Sequence, residues 1–176
     1  PILLIIALII ILNDGRPILF QQIRSGKDKK PFKFYKFRTM NNNLKMQDVH
    51  RITSLGRFLR KTSLDELPSF FNVLKGDMSV VGPRPLLERY LSRYDEYQIR
   101  RLEVKPGITG LAQINGRNNL SWNERFDFDI RYVDKHNIFL DIRIIFDTIF
   151  LVFSGKGITP NNQEIMPEFK GNKTID

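Results

Sequence analysis

Ser63-Leu64-Asp65-Glu66-Leu67-Pro68-Ser69-Phe70-Phe71-Asn72-Val73-Leu74-Lys75-Gly76-Asp77 carries a helix start, an apolar face and a stop in one stretch. Two registers compete for its first turn. Ser63 with Glu66 makes a capping box, but it would put Pro68 at the fifth helical position, where the missing N–H and the ring disrupt the bond to the carbonyl four back. With Asp65 as N-cap, Pro68 falls at the third position and is tolerated, so the stretch predicts a helix from Asp65. Phe70, Phe71, Val73 and Leu74 then form its apolar face, and Lys75-Gly76-Asp77 ends it with a basic last turn and a glycine.

Upstream, Ile18 to Ile23 reads as a short strand and Arg24 to Asp28 as a turn. Phe32 to Arg38 alternates apolar and basic residues with a period near two, which completes a basic hairpin. Asn41 opens a polar loop reaching to about His50, and Leu55 to Leu59 reads as a short helix. Downstream, Met78 to Val81 is a short apolar run, and Gly82-Pro83-Arg84-Pro85 forces a rigid, extended turn around one arginine. Leu86 to Val104 reads as a charged helix. Glycine-bearing loops, Pro106 to Gly110 and Asn115 to Asn119, flank Leu111-Ala112-Gln113-Ile114. Asn123 to Val133 and Phe139 to Phe153 read as helices, the second apolar around most of its circumference and therefore buried or set against lipid. The predicted class is α+β, predominantly helical, with a small β-hairpin.

A chain of 176 residues suits a single domain with its own core. Pro1 to Leu12 is almost wholly aliphatic, yet a bilayer crossing needs roughly 20 apolar residues, so this segment alone is too short to span. A signal peptide fits poorly, since no basic region precedes it and Asn13-Asp14-Gly15 follows as a turn. The expectation is a cut through a longer apolar segment that retains the protein at the membrane. The formal charge of +9 implies an anionic partner, whether nucleic acid, anionic lipid or a phosphate-bearing substrate. Cysteine is absent, which excludes disulfides and thiolate metal sites and leaves the redox compartment open.

Asp65 and Glu66 are adjacent carboxylates at the predicted helix start. In an arbitrary sequence such acids simply complement the helix dipole. The same dipole would keep a carboxylate ionised, and the N–H groups of a helix start can receive a phosphate. One acid could attack while the other holds a metal or moves a proton. Lys36, Arg38, Arg57, Arg60, Lys61, Arg84 and Arg117 supply fixed cations around the pair; most such residues are solvated surface charge. Arg84 stands apart, because prolines on both sides pre-organise a guanidinium suited to bidentate phosphate recognition. Mg²⁺ would complete such a site, being held by one or two carboxylates plus substrate phosphates. His50 and His136 are isolated and receive no role.

Lys36-Phe37-Arg38-Thr39-Met40, Arg60 to Pro68, Asn72 to Pro85, Lys105 to Gly110 and Asn115-Gly116-Arg117 together resemble the bacterial sugar transferase family, the monotopic phosphoglycosyltransferases. The likeness runs through nearly the whole chain, and several long motifs in the family's order are far more specific than any one. The resemblance implies an Asp65 nucleophile, Glu66 acting with Mg²⁺ so that Asp65 and Glu66 are both candidate metal ligands, and phosphate or uridine contacts from Arg60, Arg84 and Arg117. Lys36 and Arg38 join them as candidate substrate-binding residues. It also implies that Pro1 kinks a re-entrant helix. Residues 1–12 are then the remnant of that helix, truncated in this chain, and 13–176 a single catalytic domain on the cytoplasmic face of the bacterial inner membrane, with interfacial amphipathic helices. The tail around Met166 to Gly171 resembles family members that take N-acetylated UDP-sugars.

The activity so implied moves a sugar-1-phosphate from a UDP-sugar to polyprenyl (undecaprenyl) phosphate, releasing UMP, as the first membrane step of glycoconjugate assembly. A different class, a basic nucleic-acid-binding module, could be built if Ile52 to Leu74 were two short helices joined by a turn. It leaves the aliphatic start, Arg84 and the two acids unexplained, so no nucleic-acid partner is expected. An accessory membrane protein without catalysis is the third reading, opposed only by the motifs.

Overall fold

Aliphatic residues fill the first helix, α1 (Ile2–Asp14); Leu3 and Ala7 pack part-buried on its inner face, and Ile6 and Ile10, one turn apart, are buried against Phe37 and Leu59. Each of these two isoleucines contributes about 1.5–3 kcal/mol by leaving water. Leu4, Ile5, Leu8 and Leu12 stay exposed. The computed structural model describes residues 1–43, 47–116, 119–154 and 168–171. A helix leaves its last carbonyls without intrahelical donors. Here Arg38 Nη2 supplies them, donating to the Asp14 and Gly15 carbonyls at 2.6 and 2.7 Å.

The hairpin forms from β1 (Leu19–Ser25) and β2 (Pro31–Phe37), antiparallel, with Leu19 opposite Phe37 and Ser25 opposite Pro31. Arg24 and Ser25, assigned to a turn on sequence, continue the strand; the turn is a 3₁₀ segment at Lys27–Lys29. Phe32 and Phe34 face inward onto Met78. A short helix, α2 (Asp48–Arg51), lies within the expected polar loop, and α3 (Ser54–Lys61) follows. Gly56 lets α3 approach the strand's exit, since a Cβ there would lie 2.0 Å from the Thr39 carbonyl oxygen.

Neither predicted register holds at residues 63–75. Ser63 takes left-handed angles and makes no side-chain cap, and Leu64–Ser69 is a 3₁₀ helix; α4 (Phe70–Lys75) begins only beyond Pro68. Bonds spanning three residues rather than four remove the conflict between the proline ring and an α-helical carbonyl. Of the expected apolar face only Val73 packs inward, against the Phe32, Phe34 and Met78 cluster. Phe70, Phe71 and Leu74 are exposed, and the fully buried residue of α4 is Asn72. Its amide ties the hairpin down: Oδ1 accepts from the Tyr35 N–H at 3.2 Å, and Nδ2 donates to the Lys33 carbonyl at 2.8 Å.

A second sheet was not anticipated. β3 (Ser79–Val81) pairs in parallel with β4 (Gly107–Thr109). Beyond it the Gly82 N–H donates to the Thr109 carbonyl at 2.9 Å, and the Gly107 N–H to the Pro83 carbonyl at 3.0 Å. A Cβ on Gly107 would lie 2.1 Å from the Gly82 nitrogen. The two glycine-proline motifs are thus one backbone joint, and it aims Arg84.

The predicted helix over 86–104 is broken into 3₁₀ segments, Glu88–Arg93 and Gln98–Leu102. Aromatic packing explains the break: Tyr90 and Tyr94 turn onto Trp122, Phe126 and Phe169. After α5 (Leu111–Ile114) come α6 (Trp122–Lys135), started by a Ser121–Glu124 capping box, and α7 (Ile138–Ser154). Only Ile144 of α7 is buried; Phe139, Ile142, Phe146, Ile149, Phe150 and Phe153 are exposed. Among the described residues no helix is long and apolar enough to cross a membrane.

Candidate active site

Lys36 arrives from β2, Arg60 from α3, Asp65 and Glu66 from the 3₁₀ turn and Arg84 from the glycine joint. They converge because β2 runs against the 3₁₀ turn and Asn72 anchors the strand to α4. Asp65 is 6% exposed. Burial, and then the negative charge of Glu66, push its carboxyl up to about 6, while Lys36, Arg84 and Arg60 pull the other way. Burial lowers the Lys36 ammonium to about 8 against the attraction of Asp65, and its Nζ lies 5.2 Å from the centroid of the Phe20 ring. The short 3₁₀ turn replaces the long helix dipole expected at Asp65. Its charge state is set instead by burial first and the neighbouring Glu66 next, with Lys36, Arg84 and Arg60 pulling against both.

Glu66 is held by Arg84, whose Nη1 donates to Oε2 at 3.1 Å and whose Nη2 donates to Oε1. Glu66 in turn raises the Arg84 pKa. Arg60 is positioned by a 2.9 Å bond from Nε to Thr39 Oγ1. Arg38, a candidate substrate-binding residue on sequence, is 6% exposed, and its Nη2 is engaged by the end of α1. Arg57 and Lys61 are exposed. Arg117 lies outside the described residues, as do Met166 and Pro167 of the tail.

Several charged residues at this site escaped the sequence reading. Arg101 and Asp129 form a buried pair at 2.7 Å, with side chains 1% and 2% exposed, and Arg101 Nη2 also donates to the Arg84 carbonyl at 2.7 Å. Arg125 is buried over the face of Trp122, and burial and Arg84 lower it to about 10. Arg24, on β1, is likewise lowered to about 10 by burial and Arg84, and its Nη2 donates to Gln22 at 2.6 Å. A signal existed for part of this. Asp129 shares a helical stripe with Phe126, Ile130 and Val133, and an acid on an apolar stripe is a buried acid in search of a cation.

Asp65 and Glu66 match the donor chemistry of a magnesium site completed by substrate phosphates. No group of three or more His, Asp or Glu gathers for a metal among the described residues. Residues 52–74 do contain two short helices, α3 and α4, joined through the 3₁₀ segment Leu64–Ser69. The exposed face of α4 is mainly apolar, Phe70, Phe71 and Leu74, with Lys75 at its end.

The sequence profile of the family described as bacterial sugar transferase matches residues 1–155. An uncharacterized sugar transferase, EpsL, of Bacillus subtilis is 49% identical over 99% of this chain and 89% of its own length. UDP-glucose:undecaprenyl-phosphate glucose-1-phosphate transferase of Klebsiella pneumoniae is 46% identical over 89% of this chain, and undecaprenyl-phosphate galactose phosphotransferase of Salmonella typhimurium is 41% identical over 82%. The chain spans most of the Bacillus protein but only 37% and 35% of the other two.

Proposed function

The chain belongs to the bacterial sugar transferase family, and we propose that it transfers a sugar-1-phosphate from a UDP-sugar to polyprenyl phosphate through an ester of Asp65. The observation that carries this reading is the state of Asp65: buried, ionised above about pH 6, and surrounded by Lys36, Arg60 and Arg84. A carboxylate stripped of water is a nucleophile, and the cations beside it match the charge of a diphosphate.

In the first half-reaction an Asp65 oxygen attacks the β-phosphorus; the new O–P bond forms as the bond to the bridging oxygen breaks, and UMP departs with that electron pair. In the second, a phosphate oxygen of the polyprenyl carrier attacks the same phosphorus and frees the Asp65 carboxylate, leaving a lipid diphosphosugar. Positioning and charge supply most of the catalysis, as is general for phosphoryl transfer. Arg84 holds Glu66 beside the nucleophile, and Lys36 and Arg60 steady phosphate oxygens. Mg²⁺, held by Asp65 and Glu66, would neutralise diphosphate charge. The exposed faces of α1 and α7 suit the protein to one leaflet on the cytoplasmic side of the bacterial inner membrane, where an acceptor with a long hydrocarbon tail resides.

The relatives named for glucose and for galactose share similar identity with this chain, so the sugar is left to experiment. Purified protein given a panel of UDP-sugars, Mg²⁺ and polyprenyl phosphate should release UMP over many turnovers for at least one sugar. Multiple turnovers that proceed equally well without the lipid acceptor would overturn the reading.

A further inference from the structure

A groove of about 480 Å³ lies between α5, α6 and α7, away from Asp65 and sharing none of the residues assigned to that site. Its size falls within the roughly 300–1,000 Å³ of small-molecule sites. Ile114, Ile144 and Leu151 form an apolar floor. At the rim, Arg131, Lys135 and Arg143 outnumber the acid Asp147. Arg143 has a side chain 79% exposed and meets Asp147 only at 3.7 Å, an ion pair that water makes weak. Arg131 and Lys135 also border a hollow with Asp127 and Asp134, but Asp134 is already bonded to Arg100 at 2.5 Å.

Phe150 connects the groove to the exposed stripe of α7: it lines the groove, yet is 69% exposed. An apolar channel that opens onto an apolar face, with cations at its edge, matches an anionic amphiphile in both charge and shape. We propose that this groove holds one anionic phospholipid, with the phosphodiester at Arg131, Lys135 and Arg143 and an acyl chain along the floor. The inference goes beyond the transfer reaction. It rests on the proposed reading only in supposing a bilayer nearby, and a lipid titration in detergent separates the two.

Native mass spectrometry of the whole protein in a neutral detergent, titrated with phosphatidylglycerol, phosphatidylcholine or glycerol phosphate, tests it. The wild type should retain one phosphatidylglycerol at collision energies that strip phosphatidylcholine, and glycerol phosphate should not displace it at equal concentration. Arg131→Gln combined with Arg143→Gln, both on exposed positions, should lower retention at least ten-fold with circular dichroism and UMP release unchanged. Ile114→Trp, which fills the floor without touching the rim charge, should also lose the lipid. Equal retention of the two phospholipids, full retention by both variants, or displacement by glycerol phosphate would overturn the proposal. Retention is read whether or not nucleotide is released, so failure of the transfer reading shows separately.

Discussion

Arg84 grips Glu66 with both ends of its guanidinium, and the buried Arg101 holds the Arg84 carbonyl from behind. Lysine keeps the charge but cannot bridge two carboxylate oxygens. Arg84→Lys should therefore lower kcat/KM by about 10- to 100-fold, the value of one or two charge-assisted hydrogen bonds. Its circular dichroism should match the wild type. Wild-type kcat/KM in that variant would show that the fork is dispensable.

Asp65 should carry the sugar phosphate. Brief incubation with UDP-sugar and Mg²⁺, without acceptor, should release at most one UMP per site and leave a phosphosugar adduct visible by intact-protein mass spectrometry. Asp65→Asn should abolish the adduct, and Glu66→Gln should slow its formation. An active enzyme that shows no adduct and needs both substrates bound together would demote Asp65 to a metal ligand or a packing residue.

Replacing Asp65 should also stabilise the fold. A carboxyl raised to about 6 from 3.8 holds its proton more tightly when folded, so stability falls as pH climbs from about 4 through 6. Above that range the ionised form costs up to about 3 kcal/mol. Asp65→Asn, free of the buried charge, should melt higher than wild type at pH 7.5, with the gap closing near pH 4. A lower melting temperature at pH 7.5 would contradict this account.

The pH dependence of kcat/KM should be bell-shaped. The acid limb, near 6, belongs to Asp65, and activity appears as its carboxyl ionises. The alkaline limb, near 8, follows loss of the Lys36 proton. Lys36→Met should lower the rate and remove the alkaline limb; if that limb persists, another group titrates there.

Asp129 neutralises Arg101 in the interior. Asp129→Asn strands that charge and should cost about 3–5 kcal/mol in urea unfolding, whereas Arg101→Met with Asp129→Leu should cost less, because no charge is then left unpaired. Equal losses in the two would mean that packing, not charge pairing, matters at this position.

Membrane attachment through α1 and α7 should survive salt. Salt screens the basic surface but leaves apolar insertion intact. Membranes from cells expressing the full-length protein should retain most of it through a 1 M NaCl wash (a Debye length of about 3 Å) and release it to detergent. Quantitative release by salt alone would exclude apolar anchoring.

Local chemistry wrote much of this protein into its sequence. Alternation over Phe32 to Phe37 specified β2, the aliphatic run marked α1, and Asn123 to Val133 already read as the body of α6, because each pattern is satisfied within a few residues. The motifs around Asp65, Glu66 and Arg84 were legible for the same reason. What tertiary structure decided lies where distant segments compete. Pro68 and a left-handed Ser63 turned the expected α-helical start into a 3₁₀ turn. The amide of Asn72, needed by the β2 backbone, took the buried side of α4 and sent Phe70, Phe71 and Leu74 outward. The ionisation of Asp65 follows from that packing and not from a helix dipole. Burial and the charges brought in by β2, α3 and the glycine joint set it, and no run of neighbouring residues contains them all.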